Sequence, residues 1–355
     1  MNIPNEIKSG VWQEGHVQGI AIDEAKGHVY FSFTTLLLKT DLAGNPIGSV
    51  KNLAGHLGCI VIDPERRRVC GSLELKHDVI GAGIIKRIGY DPSAEDNFYL
   101  VAFDIDKIDR MNMDAEADGI MTAVWLGDVA ADYAADDPAS GKPHRYGCSG
   151  IDGTALGPVF GAPADSPKKL MITYGVYSDV EREDNNYQVV LQYDPSVIDA
   201  YGCSLNQAKP HHNGPSAPEA RYFVYTGNTS YGVQNIEYDA ASRLWLTAVY
   251  VGKKPQFPNY SMYFIDGTAA PRIETLKGRG DEQGAVLTLA DPAGVGGDTP
   301  GCRFPYGATG MYADGKGHFC FSKPGHNKED KTFHSTVLKY KMDKANPDVF
   351  VLYED

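Results

Sequence analysis

Two histidines and two glutamines stand out because they recur at matching places in a repeated segment. His16 and Gln18 open the run His16–Asp23, His56 opens His56–Asp63, and Gln234 lies within Tyr231–Asp239. If those segments converge, His16, His56 and Gln234 could together hold one divalent metal ion, since imidazole suits Zn, Mn or Fe. Carboxylates for acid–base work are Glu14, Glu74, Asp179, Glu181 and Asp184, with Glu74 the first choice. Cleaving a glycosidic bond by hydrolysis uses two carboxyl groups across the bond. Eliminative cleavage of a uronate uses a base such as His or Tyr, with a cation to hold the carboxylate. Glu74, His56 and Arg145 are therefore the expected catalytic groups. The expected substrate-binding set is Gln18, Tyr146, Ser149, Tyr231, Gln234, Asn235, Tyr306, Thr309 and Lys253. Aromatic faces there would stack on sugar rings, and amides and hydroxyls would bond sugar hydroxyls. Taken singly, each carboxylate also reads as a solvated loop charge, and each histidine as a hydrogen-bonded loop residue.

The elements that must position these groups come from a repeat. Five segments align through one apolar anchor, which is Ile20, Ile60, Ile151, Ile236 and Met311 in turn. Around it lie His16–Asp23, His56–Asp63, Gly147–Asp152 (preceded by Arg145 and Tyr146), Tyr231–Asp239 and Tyr306–Asp314. Glycine or another small residue stands next to the anchor at Gly19, Cys59, Gly150 and Gly310, with Asn235 in the fourth copy. After most copies come a turn and a second strand pattern, as in Lys26-Gly27 then His28–Phe33, and Gly315-Lys-Gly317 then His318–Ser322. Two more strand patterns follow in the first and last units, at 36–41 and 47–50 and at 336–340 and 349–353. Short β-rich runs separated by Gly, Asp and Asn are strand-and-turn punctuation. Four strands per unit with variable loops is the pattern of a β-propeller.

The reading is thus all-β: one five-bladed propeller of four-stranded antiparallel blades spanning 1–355, with blades starting near 16, 56, 147, 232 and 307. The stretch 104–128 reads as a loop or short helix inserted in the second blade. Pockets gather where loops converge, so the site is expected at the mouth of the central channel where the inner strands begin. The ring of polar residues there differs from blade to blade, which favours one composite site over five equal ones.

Composition narrows the partners. The formal net charge is −13, and the longest basic run, Arg66–Arg68, follows an Asp-Pro turn. No basic stripe of the kind a nucleic acid needs is present. No apolar run approaches a membrane span, and the N-terminal residues lack a signal pattern. Six cysteines include no CxxC pair, so reduced thiols and a cytoplasmic location are expected. GxSxG, P-loop and HExxH motifs are absent. Gly294–Gly297 and His211–Pro215 read as surface loops. The expected ligand is a small molecule or oligosaccharide, with neither nucleic acid nor membrane as partner. The oligomeric state is left open.

In its fivefold repeat the chain resembles five-bladed propellers, an architecture shared by several glycoside hydrolase families, a lectin and calcium-dependent nucleotidases. Furanosidase-type members carry an Asp near the start of the first inner strand, and the matching stretch Glu14-Gly15-His16-Val17-Gln18 has none. Propellers that cleave oligogalacturonides use a His and Gln metal site, to which His16, Gln18 and His56 are similar in residue type. The segments His16–Gly19 and Tyr231–Asn235 also resemble those of gut-bacterial propellers. The resemblance implies a carbohydrate-active enzyme, a glycoside hydrolase or a lyase, with one divalent metal ion as its cofactor if it is metal-assisted. The alternative is a non-catalytic module that binds a glycan or a protein.

Overall fold

The computed structural model describes residues 2–227 and 229–354. Its strands form five sheets arranged as the blades of a propeller. The four innermost-to-outermost strands of the first blade are Val17–Asp23, His28–Phe33, Leu36–Asp41 and Pro46–Lys51. Those of the second are His56–Asp63, Arg68–Leu75, Asn97–Asp104 and Met121–Trp125. The third has Cys148–Gly157, Lys169–Val176, Tyr187–Tyr193 and Ala220–Tyr225, and the fourth Thr229–Asp239, Leu244–Val251, Met262–Asp266 and Leu289–Ala290. The fifth runs from Met311–Ala313 through His318–Asn327 to Thr332–Met342.

Each anchor is buried on its inner strand. Just before it, the pairing with the second strand slips in blades one to four, between Val17 and Gly19, Leu57 and Ile60, Cys148 and Gly150, and Val233 and Asn235. Such bulges bend a strand and re-aim its side chains. Here they also bring backbones together around the axis. A methyl added at Gly19 would lie 2.8 Å from the Ile60 nitrogen and 2.9 Å from the Cys59 Cα. Only a residue without Cβ permits that approach.

The core lies between the blades. Described apolar residues form a cluster at each of the five interfaces. Ile20 and Phe31 meet Cys320 and Val337 between blades one and five, and Ile236 and Trp245 meet Met171 and Val190 between blades four and three. Polar stitches recur beside them. Ser32 donates to the Gly58 carbonyl at 2.7 Å, Ser72 to that of Asp152 at 2.8 Å, and Thr173 to that of Val233 at 3.1 Å. Each joins a second strand to the next blade's inner strand, and satisfies a carbonyl that the bulge frees.

The blades are not uniformly four-stranded. The outer position of blade five is shared by both ends of the chain, because Glu6–Trp12 and Phe350–Leu352 both pair with Thr332–Met342. This closes the ring. The excursion over 104–128 supplies the outer strand of blade two and a short strand, Met113–Asp114, that adds parallel to blade one. A helix follows it at Gly127–Ala134. The excursion of blade four adds Gln283–Val286 and Arg272–Thr275 to the edge of blade three.

One helix bears directly on the channel. Val79–Ile88 follows the second strand of blade two at the mouth. Asp78 caps it by accepting the Gly81 N–H at 2.9 Å, and left-handed Gly89 ends it. The six cysteines are free, and all except Cys203 are buried. No described helix is long and apolar enough to cross a membrane.

Candidate functional site at the channel mouth

The second strand of blade two ends in three charged side chains at alternating positions: Glu74, Lys76 and Asp78. Glu74 is 3% exposed. Its Oε1 accepts the Ile151 N–H of blade three at 2.6 Å, and its Oε2 lies 2.9 Å from the Lys76 ammonium. Any side chain at Gly150 would run into this carboxylate, so the glycine of the third repeat exists to admit Glu74. Lys76 in turn donates to the Ser149 carbonyl at 2.6 Å and lies 3.4 Å from Asp78. Asp78 also accepts the Tyr177 hydroxyl at 2.8 Å.

His56 stands beside this pair. Its Nδ1 is 3.6 Å from Glu74 Oε2 and 3.5 Å from Asp152 Oδ1. Both separations exceed a hydrogen bond, and the buried Nδ1 has no hydrogen-bond partner. Asp152 is steadied on its other oxygen by Gln234, whose Nε2 donates to Oδ2 at 3.0 Å and to the Tyr231 carbonyl at 2.9 Å. On the other side of the mouth, the Gln18 amide bonds His16 Nε2 at 3.0 Å. Below them Asn235 spans the channel by donating to the Gln18 carbonyl at 2.8 Å and the Ala308 carbonyl at 3.1 Å.

Burial sorts these groups by proton affinity. Desolvation lifts Glu74 above the usual carboxylate range, while the Lys76 ammonium and the Ile151 N–H pull against it. Asp152 is lifted well above its ordinary value by burial and then by the Glu74 charge. The Lys76 charge opposes that rise. His56 is pushed down to about 3 by burial, with the Lys76 charge adding. Both carboxyls are thus raised, Glu74 with a lysine beside it and Asp152 without one, and the imidazole between them is neutral at pH 7. Two adjacent carboxyl groups of which only one has a lysine partner differ in their hold on a proton, the asymmetry that an acid and a base at one place need.

Space at the cluster is limited. Beneath the helix Val79–Ile88, beside His56, Glu74 and Lys76, there is about 10 Å³, near the minimum for a single water. A larger cavity lies between blades four and five. It holds about 780 Å³ and is lined by Tyr250, Lys253, Phe257, Arg303, Tyr306 and Thr309, among others. Tyr250 lines this cleft, and burial together with the Asp152 charge pushes its phenol up to about 12.

The residues expected to form the site divide into three groups. His16, Gln18, His56, Glu74, Ser149, Gln234 and Asn235 gather at the mouth, with the Tyr231 carbonyl but not its half-exposed ring. Lys253, Tyr306 and Thr309 line the cleft. Arg145 and Tyr146 are brought to neither place. His144 and Tyr146 adopt left-handed backbone conformations, which turn this segment outward along blade three. The Tyr146 ring packs on Phe223 of the outer strand, and both Tyr146 and Arg145 bond Glu282, at 2.7 and 2.8 Å. The carboxylates Glu14, Asp179 and Asp184 are engaged by Lys51, Lys142 and Arg182 instead. Of the expected metal ligands, His16 Nε2 is bonded by the Gln18 amide, Gln234 donates through its amide nitrogen to Asp152 and the Tyr231 carbonyl, and His56 Nδ1 faces Glu74 and Asp152. Among the described residues no group of three or more His, Cys, Asp or Glu is placed to hold a metal ion.

Asp152, Tyr250 and the role of Lys76 lie outside what the repeat alone points to. The signal for Asp152 is nevertheless present. In the other four copies the aspartate falls three residues after the anchor, at Asp23, Asp63, Asp239 and Asp314, but Asp152 directly follows Ile151. That offset takes it out of the turn and into the strand. A further slip in pairing between Ile151 and Thr154 then presents it to the mouth.

No protein-family model matches the sequence, and no curated protein matches it. Among solved structures, the chain path is similar to the calcium structure of a Trichoderma reesei carbohydrate-active enzyme of family AA12. The two are 11% identical over 90% of this chain and 80% of that one, with a TM-score of 0.40. It is also similar to the β-propeller domain of Myceliophteria thermophila Cps50 (Swd1), at 8% identity over 92% of this chain and 98% of that one, with a TM-score of 0.29.

Proposed function

We propose that this chain is a carbohydrate-active enzyme, a glycoside hydrolase or lyase, that binds its sugar in the cleft between blades four and five. Asp152 acts as the acid on the leaving oxygen and Glu74 as the base, with His56 positioned between them. The observation that carries this reading is the buried His56 Nδ1, unpaired and flanked by two carboxyl groups at 3.5 and 3.6 Å. Such an arrangement stabilises no fold, since an unsatisfied buried polar atom costs about 1–3 kcal/mol. Strongly shifted carboxyls in a concave site are instead the mark of acid–base chemistry. The cleft supports a sugar ligand, because Tyr250, Phe257 and Tyr306 offer ring faces while Lys253 and Arg303 offer donors at its rim. The net charge of −13 speaks against nucleic acid as the ligand, and free thiols agree with a cytoplasmic location. No step is routed through a metal.

The small space over His56 favours a second reading, in which the cleft binds a glycan or a protein segment and no bond is broken. Calorimetry against a panel of neutral and acidic oligosaccharides, with mass spectrometry of the mixtures, separates the two. An enzyme yields shortened or unsaturated products from a sugar that Tyr306→Ala binds at least about tenfold more weakly. Binding without product supports the module. Binding of no oligosaccharide removes both carbohydrate readings.

A further inference from the structure

The helix over the mouth carries an arginine with nothing to hold. Arg87 lies in its last turn and reaches across to blade one, where its guanidinium lies against Gly15. Gly15 is left-handed, and a methyl there would collide with the guanidinium and with Thr34, so the glycine makes room for Arg87 as well as for the turn. Among the described residues Arg87 has neither an ion-pair nor a hydrogen-bond partner. Every other described arginine has one. An arginine at a helix C-terminus gains a little from the helix dipole, but that needs no reach towards a neighbouring blade. The guanidinium lies beside Thr34, whose Oγ1 accepts the Gln18 amide at 3.3 Å, and Gln18 in turn bonds His16, so Arg87 stands at the His16 side of the mouth.

We infer that Arg87 is the recognition site for a carboxylate on the substrate, so that the sugar is a uronate. Arginine presents a planar fork of donors matched to a carboxylate. Eliminative cleavage of a uronate requires a cation at that group, the role Arg145 does not fill because it is committed to Glu282. Binding there would draw the sugar carboxylate to the helix side of the mouth.

This inference rests on the carbohydrate reading, and the experiment separates the two. Isothermal titration calorimetry compares digalacturonate and a glucuronate-containing disaccharide with their neutral counterparts, on the wild type, Arg87→Gln and Arg87→Lys. Arg87 is exposed, and circular dichroism verifies that the variants fold. The expected result is a preference of about tenfold or more for one acidic sugar over its neutral counterpart. Arg87→Gln abolishes this preference without weakening neutral-sugar binding, and Arg87→Lys restores part of it. Equal binding of acidic and neutral sugars by the wild type overturns the inference and leaves the carbohydrate reading standing. An acidic preference that survives in Arg87→Gln does the same. Binding of neither class overturns both.

Discussion

Replacing His56 by Gln and, separately, Asp152 by Asn changes the pH dependence of stability in opposite directions. An unfolded histidine takes up its proton near pH 6.5, while folded His56 does so only near 3. Lowering the pH from 7 therefore favours the unfolded chain. Between pH 6.5 and pH 5 the cost grows by about 1.36 kcal/mol per pH unit, so at pH 5 this one group costs about 2 kcal/mol. Asp152 acts the other way. Its folded carboxyl binds a proton well above the ordinary 3.8, so the folded chain is protonated first and acidification through that range favours it. In the wild type the two effects oppose each other. His56→Gln removes the first, and its stability relative to pH 7 should exceed that of the wild type by about 2 kcal/mol at pH 5. Asp152→Asn removes the second and should lose more stability on acidification than the wild type. Urea unfolding at pH 7 and pH 5 measures both, and comparing each protein with itself cancels the cost of the substitution. The reasoning is refuted if the signs reverse. His56 and Asp152 would then be an imidazolium–carboxylate ion pair, with the histidine raised and the aspartate lowered.

Two further substitutions test what positions the site. Gly81→Ala puts a methyl against the Lys76 carbonyl, so it should cost about 1–3 kcal/mol and speed amide exchange across 79–88 by lifting the helix from the mouth. Asn235→Ala strands the Gln18 and Ala308 carbonyls and should lower stability by about 1–3 kcal/mol, read as a lower Tm with unchanged far-ultraviolet circular dichroism.

The fold is legible because it is written five times. The anchors Ile20, Ile60, Ile151, Ile236 and Met311 are all buried on inner strands, and Gly19 and Gly310 beside them sit where backbones crowd the axis. A repeat says little about its own exceptions. Glu6–Trp12 pairs with a strand at the far end of the chain, and no local pattern announces such a partner. The helix Val79–Ile88 has a readable stripe in Ile80, Ile84 and Ile88, masked by the charged residues just before it. That His16, Gln18, His56 and Gln234 lie near one another is legible for the same reason, since they stand just before the anchors of equivalent inner strands. Arg145 and Tyr146 fall elsewhere because sequence alignment cannot see two left-handed residues turning a segment outward. Asp152 is hard to single out because it resembles the turn aspartates of the other copies.

The most direct test of the central claim uses Glu74→Gln and Asp152→Asn, with a sugar that the wild type binds. Both side chains keep their shape, so the fold and the cleft should persist. Calorimetry gives the Kd and product analysis gives the turnover rate. The account predicts turnover lowered by about a hundredfold or more in each variant, with Kd changed by no more than about threefold. Wild-type turnover in either variant would show that these carboxyl groups are not the acid and base, and would contradict the account.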